Sequence, residues 1–451
     1  MGFPGINKHI FIIGGGISGL TVLHQLKKKY AGQTGMQIQL LERNAYVGGT
    51  AYTELHEQTI FEHGPNGFLN HHGSTFQLVR ELGLETELIQ AGPSAKLRFI
   101  CLKNKLHALP AHPLAFLRFP FFSITDKFKV LAEVFVPRSS AAAESVYDFA
   151  ARRFGERFAQ YLIDPMVSGV FGGDARELCL PAAFPQIYEM EQKYGSLIKG
   201  MLAVKKQKGE HLQRPQMASF KSGMSQLSET IFKRYSEAIQ TSVDVRSIRK
   251  ISEGFVVETP MTQYFAHEIF LCTPAYVAAD LLKEMSQDLS QALAKVIYAP
   301  LAVVGLVYKR SAFRMIPQGF GYLIPSSEGK DVLGVLFCSN IFAGRSAAEE
   351  ILFRVMIGGV RHPDSVKKTE AELFNLAHRE IAAVLGVEEK PVEQLIKIWP
   401  KAIPQYDKDY VSVKERLLRG IKAFPELHLA ANYLNGISLN DCIANAYNAV
   451  K

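Results

Sequence analysis

The fold is decided by the stretch His9-Ile-Phe-Ile-Ile-Gly-Gly-Gly-Ile-Ser-Gly-Leu-Thr-Val-Leu-His-Gln-Leu26. An apolar run, a glycine-rich turn and a helix-like pattern in this order predict a strand, a tight turn and a helix that together hold a dinucleotide. Gly14 would allow the turn, Gly16 would let the backbone approach a pyrophosphate, and Gly19 would let helix and strand pack closely. The helix N-terminus would face the phosphates.

A second apolar run, Gln37-Ile-Gln-Leu-Leu41, predicts the next strand, and Glu42 closes it. A carboxylate at this place can accept hydrogen bonds from an adenosine ribose, whereas it would repel a 2′-phosphate. The acid therefore favours FAD or NAD over NADP. The alternative is a glycine-rich turn with a chance acid downstream, which the order of strand, turn, helix, strand and acid disfavours.

A second glycine-rich region favours FAD over NAD. Gly48-Gly-Thr50 lies just past Glu42, and Phe61-Glu-His-Gly-Pro-Asn-Gly-Phe68 supplies a glycine–proline turn. A cofactor with an extended isoalloxazine end needs such a continuation of its site, which NAD-dependent dehydrogenases rarely need. The residues of these segments that we expect to bind FAD are Gly14, Gly16, Ile17, Ser18, Gly19, Glu42, Arg43, Gly48, Gly49, Thr50, Gly64, Pro65 and Asn66.

Composition restricts the class of protein. The chain has 451 residues, 47% of them hydrophobic, which indicates a globular protein of two or three structural units. Its net charge of +8 suits an anionic partner, although runs such as Lys27-Lys-Lys29 also suit a solvated face. A nucleic-acid partner is not expected, because no recognition motif accompanies the charge. A homodimer is left open.

The cysteines and the apolar runs predict a location. The five cysteines are scattered without a CxxC pair, which argues against a disulfide framework and a metal site and favours a reducing compartment. The first predicted strand begins near His9, which leaves no room for a secretory signal. No uncharged apolar run is long enough to span a bilayer. We expect a cytoplasmic protein.

One aromatic segment predicts either a buried core under a lid or a surface that rests on a membrane. It is Leu114-Ala-Phe-Leu-Arg-Phe-Pro-Phe-Phe122, and Lys127, Lys129 and Arg138 follow it closely. Aromatic side chains beside basic ones are typical of peripheral membrane contact. The second alternative would place the protein on the cytoplasmic face of a membrane.

Hydrophobic periodicity predicts an α/β chain, α+β overall, in three interleaved parts. Residues from about 75 to 205 are mostly helical in pattern, whereas strand patterns return near 242 and again between 300 and 360. We expect a Rossmann-like FAD-binding domain, an inserted helical cap and a mixed-sheet substrate-binding domain. The expected boundaries are 1–85, 206–275 and 395–451 for the first, 86–205 for the cap and 276–394 for the third.

A long central segment carries a family resemblance. Ser168-Gly-Val-Phe-Gly-Gly-Asp-Ala-Arg-Glu-Leu-Cys-Leu-Pro-Ala-Ala-Phe-Pro185, continued by Glu191-Gln-Lys-Tyr-Gly-Ser-Leu-Ile198, closely resembles the signature of the oxygen-dependent protoporphyrinogen oxidases. Gly319-Phe-Gly-Tyr-Leu-Ile-Pro-Ser-Ser-Glu328, Ala402-Ile-Pro-Gln-Tyr406 and Leu439-Asn-Asp-Cys-Ile443 follow in the family's order. The resemblance spans nearly the whole chain. It implies membership of the FAD amine-oxidase-like superfamily, beside the bacterial coproporphyrinogen oxidases.

The resemblance implies a dehydrogenation in heme biosynthesis. A tetrapyrrole substrate, a porphyrinogen, would lose hydride from a meso carbon to flavin N5, and molecular oxygen would reoxidise the flavin and yield hydrogen peroxide. Such chemistry needs position and dryness from the protein, so no catalytic side chain and no metal is expected. Protoporphyrinogen IX is the expected substrate and coproporphyrinogen III the close second. A flavin amine oxidase and a non-catalytic nucleotide binder remain as rivals.

The resemblance also implies four substrate residues. Arg98 matches an arginine that clamps a substrate propionate, a role that suits a guanidinium fork. Leu323 and Phe342 match apolar positions that sandwich a pyrrole ring, and Gly169 matches a place where the backbone lies near the reacting ring. The alternatives are an ordinary exposed arginine, core packing and a glycine that ends a helix.

The remaining cofactor residues follow the same resemblance. Val245 matches a strand whose backbone reads adenine and Trp399 matches a flavin wall, although both could be plain core residues. Near the C-terminus the chain departs from the family, because Ala431 and Ser438 stand where glycines are usual and Asn440 replaces a proline. Each lost glycine removes a close backbone approach. We expect Ala431, Ile437 and Ser438 to bind FAD in altered geometry, and we expect the protein to retain FAD weakly.

Overall fold

The computed structural model describes residues 8–70, 73–110, 119, 121–139, 143–208 and 216–451. Most of the aromatic segment at 114–122 therefore lies outside the described residues. The described strands are β1 Lys8–Ile13, β2 Met36–Leu41, β3 Thr53–His56, β4 Thr59–Glu62, β5 Phe68–Leu69, β6 Leu88–Gln90, β7 Phe99–Leu102, β8 Lys105–Ala108, β9 Met217–Phe220, β10 Ile239–Gln240, β11 Ser247–Ile251, β12 Gly254–Glu258, β13 Gln263–Ala266, β14 Glu268–Leu271, β15 Tyr298–Lys309, β16 Gly321–Leu323, β17 Val332–Phe337, β18 Glu350–Gly358, β19 Glu393–Pro404 and β20 Leu427–Leu429.

The longer helices alternate with these strands. They are α1 Ile17–Lys29, α2 Gly73–Leu82, α3 Ile124–Leu131, α4 Val146–Phe154, α5 Asp164–Phe171, α6 Pro185–Tyr194, α7 Leu197–Lys208, α8 Ser225–Arg234, α9 Ala275–Leu281, α10 Gln287–Ala294, α11 Glu370–Leu385, α12 Tyr410–Gly420 and α13 Leu439–Ala449. Shorter helical turns occur at Glu156–Phe158, Ala159–Ile163, Leu180–Ala183 and Cys338–Ile341. No helix formed by these described segments is long and apolar enough to cross a bilayer.

A five-stranded parallel sheet joins the two ends of the chain. Its order is β10-β2-β1-β14-β20, so β1 lies between the strand that follows α1 and a strand from the middle of the chain. Both faces are covered, and β1 is apolar and buried from Ile10 to Ile13, as is usual for a central parallel strand. On one face α1 packs against the C-terminal helix α13.

A seven-stranded mixed sheet forms the second layer. Its order is β19-β15-β18-β17-β16-β7-β8, antiparallel except where β16 runs parallel to β7. Helix α11 covers one face through Leu373, Ala377 and Ile381, which are fully buried. The long strands β15 and β19 bring the residues that follow α10 back toward the first sheet.

Buried charges hold together the helices between residues 124 and 208, the part of the chain for which a cap is expected. Arg153 of α4 is enclosed between Glu133 and Glu191, with its guanidinium bonded to both carboxylates. Glu133 also accepts the backbone N–H of Leu197 at 2.9 Å. Burial alone would raise the pKa of Glu133, but hydrogen bonds from Ser196 and the start of α7, with the Arg153 charge, lower the pKa overall. The cluster therefore joins the turn after α3 to α4, α6 and α7.

The expected three-part division of the chain stays a prediction. Strands β7 and β8 lie inside 86–205 and β19 lies almost wholly inside 395–451, yet all three pair within the seven-stranded sheet. The expected boundaries thus follow local sequence pattern, whereas the pairing of these strands is long-range.

Candidate functional site

A cleft of about 380 Å³ opens where the carboxyl ends of β1, β2 and β14 meet β19. In open parallel sheets this is the edge at which ligands bind. Its walls come mainly from the turn after β1, residues 41–50, the segment 243–245, residues 272–277 after β14, the end of β19 and residues 431–432. Most of the predicted cofactor residues lie on these walls.

The first glycine-rich turn has the geometry of a pyrophosphate cradle. Gly14 has φ +106°, and a Cβ there would lie 2.9 Å from the carbonyl oxygen of Cys272. A Cβ on Gly19 would lie 1.9 Å from the Gly14 carbonyl oxygen, so α1 can approach the turn only because Gly19 has no side chain. Gly16, by contrast, has no atom within 4 Å of its Cβ position and lines the cleft. The open space above Gly16 fits a phosphate.

Glu42 is fixed at the nucleotide end of the cleft. Its Oε2 accepts the backbone N–H of Gly15 at 2.6 Å, and its Oε1 accepts both the backbone N–H and the side-chain amide of Asn44 at 2.7 Å. The side chain is buried and borders the cleft. Three donors leave one acceptor site of this carboxylate, on Oε2, free for a ribose hydroxyl.

A second glycine turn completes the floor. The N–H of Gly48 donates to the carbonyl of Gly15 at 2.8 Å, and a Cβ on Gly49 would lie 3.2 Å from the Cα of Gly16. Thr50 follows on the cleft wall. The two glycine turns therefore form one continuous backbone surface.

Trp399 forms the wall at the other end. Its indole N–H donates to the carbonyl of His63 at 2.9 Å, which fixes the plane of the ring. The ammonium of Lys397 lies 4.7 Å from the centre of the Trp399 ring, a cation–π contact. Both side chains border the cleft. Gly64 follows His63, and a Cβ on Gly64 would lie 1.9 Å from the carbonyl oxygen of Thr50.

The unusual C-terminal motif is braced by tyrosines. The hydroxyl of Tyr406 donates to the carbonyl of Asn432 and accepts the N–H of Gly436. The hydroxyl of Tyr410 donates to Leu434 at 2.9 Å, and the two tyrosine rings stack at 4.3 Å. The loop that contains Ala431 is thus held by Tyr406, which follows β19, and by Tyr410 of α12.

The two other departures from the family have structural roles. Ser438 is the N-cap of α13, and its hydroxyl accepts the N–H of Asp441 at 3.2 Å in a capping box. The buried amide of Asn440 donates to the carbonyl of Leu69 and accepts the hydroxyl of Thr75. These side chains stabilise the helix and join it to α2, whereas Ala431 alone of the three replaced positions borders the cleft.

Twelve of the predicted cofactor residues line the cleft: Gly14, Gly16, Ile17, Ser18, Glu42, Arg43, Gly48, Gly49, Thr50, Val245, Trp399 and Ala431. Six do not: Gly19, Gly64, Pro65, Asn66, Ile437 and Ser438. Among these six, Gly19, Gly64 and Ser438 support the turns and the helix that surround the cleft. Direct contact of any of the eighteen with a cofactor stays a prediction.

The four predicted substrate residues lie around β16, away from this cleft. A Cβ on Gly169 would come 2.5 Å from Cδ2 of Leu323, the last residue of β16. The guanidinium of Arg98 lies 4.9 Å from the ring of Phe320, just before β16, and Phe320 packs with Phe342. Arg98 is exposed and Phe342 is buried. The four residues therefore lie in one region, and their roles toward a substrate stay predictions.

Several cleft residues were not predicted, among them Asn44, Thr273, Tyr276, Tyr298, Lys397 and Lys401. Two sequence signals could have found some of them. Thr273 follows a strand of the parallel sheet, where ligand-binding residues collect. Lys397 and Lys401 are two residues from Trp399 on β19, and alternate residues of a strand share a face.

Comparison with known proteins identifies the family. Residues 17–451 match the family model described as flavin containing amine oxidoreductase. The chain belongs to this family. It is 31% identical to a chloroplastic protoporphyrinogen oxidase of Oryza sativa, over 97% of this chain and 86% of the relative. It is 30% identical to protoporphyrinogen oxidase of Homo sapiens over 98% of both, and 25% identical to coproporphyrinogen III oxidase of Bacillus subtilis over 98% and 97%.

Solved structures agree with the fold. A crystal structure from Exiguobacterium matches with a TM-score of 0.84 and 20% identity over 98% of both chains, and a redesigned putrescine oxidase matches with 0.72 and 13% over the same shares. The predicted fold class, the resemblance to the porphyrinogen oxidases and the assignment as a flavin-dependent oxidoreductase are confirmed.

The open space above Gly16 leads to a prediction about cofactor affinity. We expect Gly16→Ala to fold normally but to bind added FAD at least tenfold more weakly, because its Cβ meets no protein atom and projects where the phosphate would lie. Titration of the cofactor-free protein with FAD, followed by flavin fluorescence, measures this. Gly73→Ala is the matched control, since a Cβ there also meets nothing. Equal affinity of the two variants would contradict the assignment of the cradle.

Proposed function

We propose that the protein is an FAD-dependent oxidase that converts protoporphyrinogen IX to protoporphyrin IX in heme biosynthesis, with molecular oxygen as acceptor and hydrogen peroxide as product. The proposal rests on one observation: relatives named protoporphyrinogen oxidase match at about 30% identity over nearly the whole of both chains. Such coverage includes the cleft, the cap and the region around β16 together.

The shape of the cleft supports FAD as the flavin. An acid at one end suits an adenosine ribose, the two glycine turns suit a pyrophosphate, and Trp399 offers a flat wall at the far end. A flavin mononucleotide would leave the Glu42 end without a ligand. Contacts connect Glu42 to Gly15, Gly15 to Gly48, and Trp399 to His63, and this series of contacts suits an extended dinucleotide.

The side chains have positioning roles in the proposed reaction. When bound, the flavin would supply the acceptor for a hydride from a substrate carbon. Glu42 would hold the ribose, and the open backbone at Gly16 would hold the pyrophosphate. Trp399, tied to the carbonyl of His63, would keep the ring system in place. The residues thus bind, orient and exclude water, and no acid–base pair is required of them.

The region around β16 suits the substrate. Leu323 and Phe342 would form apolar walls for a flat macrocycle, and Gly169 leaves Leu323 room to pack against α5. Arg98 stands at the exposed edge of this region. No carboxylate among the described residues lies within ion-pair distance of Arg98, so its guanidinium is available for an anionic substrate group.

Coproporphyrinogen III is the second candidate substrate. The Bacillus subtilis relative named coproporphyrinogen III oxidase matches over nearly the whole chain, and the net charge of +8 suits a substrate with four carboxylates. The lower identity, 25% against 30–31%, favours protoporphyrinogen.

Porphyrin fluorescence tests the proposed function. The FAD-loaded protein is supplied in air with protoporphyrinogen IX, coproporphyrinogen III or putrescine, and porphyrin and hydrogen peroxide are measured. We expect the highest kcat/KM with protoporphyrinogen and no peroxide with putrescine. Faster turnover of coproporphyrinogen would replace the substrate by the second candidate. Peroxide from the amine alone would identify an amine oxidase instead.

Arg98 gives a prediction for substrate binding. Removal of its guanidinium in Arg98→Ala should raise KM for protoporphyrinogen about 10–100-fold, the range expected for one charge-assisted contact, with kcat little changed. Arg98→Lys should recover part of the loss, because it keeps the charge without the fork. Steady-state kinetics measure both variants. A loss confined to kcat would contradict the clamp.

We also propose that the cap makes peripheral contact with a membrane. Ile124, Phe128, Leu131 and Phe135 are all exposed, and their spacing places them on one side of α3 and the turn after it. Met201 and Leu202 of α7, which packs against the same turn, are exposed as well. A stripe of large apolar side chains with basic neighbours is suited to an anionic lipid surface.

Sedimentation with vesicles of mixed anionic and zwitterionic phospholipid tests this contact. We expect Leu131→Asp to reduce the bound fraction at least several-fold, since a charge would enter the lipid interface. Leu55→Asp is the control: Leu55 is 65% exposed and Leu131 60%, but Leu55 lies on β3 outside the cap. Equal loss in both variants, or no binding by the unaltered protein, would contradict the proposal.

A further inference from the structure

Positive charge collects at the Trp399 end of the cleft. Lys397 places its ammonium over the Trp399 ring and borders the cleft. No carboxylate among the described residues forms an ion pair with Lys397. The ammonium of Lys397 therefore contacts the Trp399 ring and has no carboxylate partner among the described residues. Its positive charge borders the cleft.

A second cation lies behind the same wall. Arg354 of β18 is buried, and its guanidinium donates to the carbonyl of Gly64. Its Nε–H has no hydrogen-bond partner among the described atoms. The buried carboxylate of Glu62 is nearby, and Nη2 of a second arginine, Arg345, lies 3.9 Å from its Oε1. This carboxylate also accepts hydrogen bonds from the hydroxyl of Thr53 and the N–H of Met224. Two buried guanidinium groups thus face one carboxylate.

His63 lies close enough to both cations for its pKa to be affected by them. Its backbone carbonyl holds Trp399, and its Nε2 bonds to Glu54 at 2.7 Å. Burial lowers the pKa of His63, and the charges of Lys397 and Arg354 lower it further, against the opposing effect of Glu54. Lys397 and Arg354 therefore act on one place from two different strands.

Charge at this end matters because of what reduction does to a flavin. Uptake of a hydride adds two electrons and one proton to the ring system, which leaves it with one negative charge. A fixed positive charge nearby stabilises the reduced form more than the neutral oxidised form, and this raises the reduction potential. The same charge at the nucleotide end would act on the phosphates and would leave the potential nearly unchanged.

We propose that Lys397, with Arg354 behind it, raises the reduction potential of the bound flavin by holding positive charge at the isoalloxazine end of the cleft. Lys397 is a tuning residue in this account and transfers no proton. The inference rests on the proposed function in one respect, the placement of the isoalloxazine ring beside Trp399.

The chain offers a matched control four residues away. Lys401 is on the same face of β19 and borders the same cleft, but its ammonium lies over the ring of Tyr276 at 4.3 Å. The charge of Arg43, the residue after Glu42, acts on the pKa of Tyr276. Lys401 therefore lies at the nucleotide end of the cleft. Four residues of extended strand separate the two lysines by roughly 13 Å. Lys397→Met and Lys401→Met remove the same charge from opposite ends.

The test measures the potential of FAD-loaded protein by equilibration with a reference dye during anaerobic reduction. Lys397→Met should lower the two-electron equilibrium constant at least tenfold, a shift of about 30 mV. Lys397→Arg should stay near the unaltered value because it retains the charge. Lys401→Met should change the constant by less than threefold. Arg354→Met, if it folds and binds flavin, should shift the constant in the same direction as Lys397→Met.

Each alternative result is decisive. An unchanged potential in a Lys397→Met protein that binds FAD and forms porphyrin overturns the inference and leaves the proposed function intact. A larger shift in Lys401→Met also overturns it, because the ring would then lie at the other end. Raised KM for protoporphyrinogen without a change in potential would assign Lys397 to the substrate instead. Failure of the unaltered protein to bind FAD would overturn the proposed function and the inference together.

Discussion

The close approach of α1 to the turn after β1 determines the rest of the site. Only a residue without a side chain fits at Gly19, where a Cβ would lie 1.9 Å from the Gly14 carbonyl oxygen. This contact points the N-terminus of α1 at the edge of the parallel sheet and leaves the space above Gly16 empty of protein atoms. Glu42 then closes the edge by accepting the N–H of Gly15. The cradle is thus a product of packing, and its open side is what remains for a phosphate.

The far end of the cleft depends on the second sheet. Trp399 lies on β19, which pairs with β15 over most of its length and carries the indole to the His63 carbonyl. The same strand supplies Lys397, and β18, on the other side of β15, supplies Arg354. One sheet therefore provides the nucleotide end and the other provides both the aromatic wall and the charge around it. In the proposed account, the second sheet sets the reduction potential of the flavin, although the first sheet carries the more recognisable sequence motif.

Local features were predictable from the sequence, and long-range ones were not. The strand, turn, helix and Glu42 follow one another along the chain, so neighbours decide their local geometry, and Gly14, Gly16 and Glu42 do line the cleft. Trp399 and Ala431 were reached only through a family resemblance. Lys397 was not predicted because its position in the site depends on which face of β19 lines the cleft, and only the fold decides this. Strands β7 and β8 join the seven-stranded sheet through a partner more than two hundred residues later, which no local periodicity reveals. The place of Ala431 on the cleft wall and the capping role of Ser438 likewise required the fold.

The central claim is that a flavin held between Glu42 and Trp399 takes electrons from a porphyrinogen bound near β16. Anaerobic mixing of the FAD-loaded protein with protoporphyrinogen IX tests it most directly, by the absorption bands of the bound flavin. The account predicts that the bands bleach on mixing and return when oxygen is admitted, as porphyrin appears. Bands that remain unchanged in the presence of protoporphyrinogen and of coproporphyrinogen would contradict it.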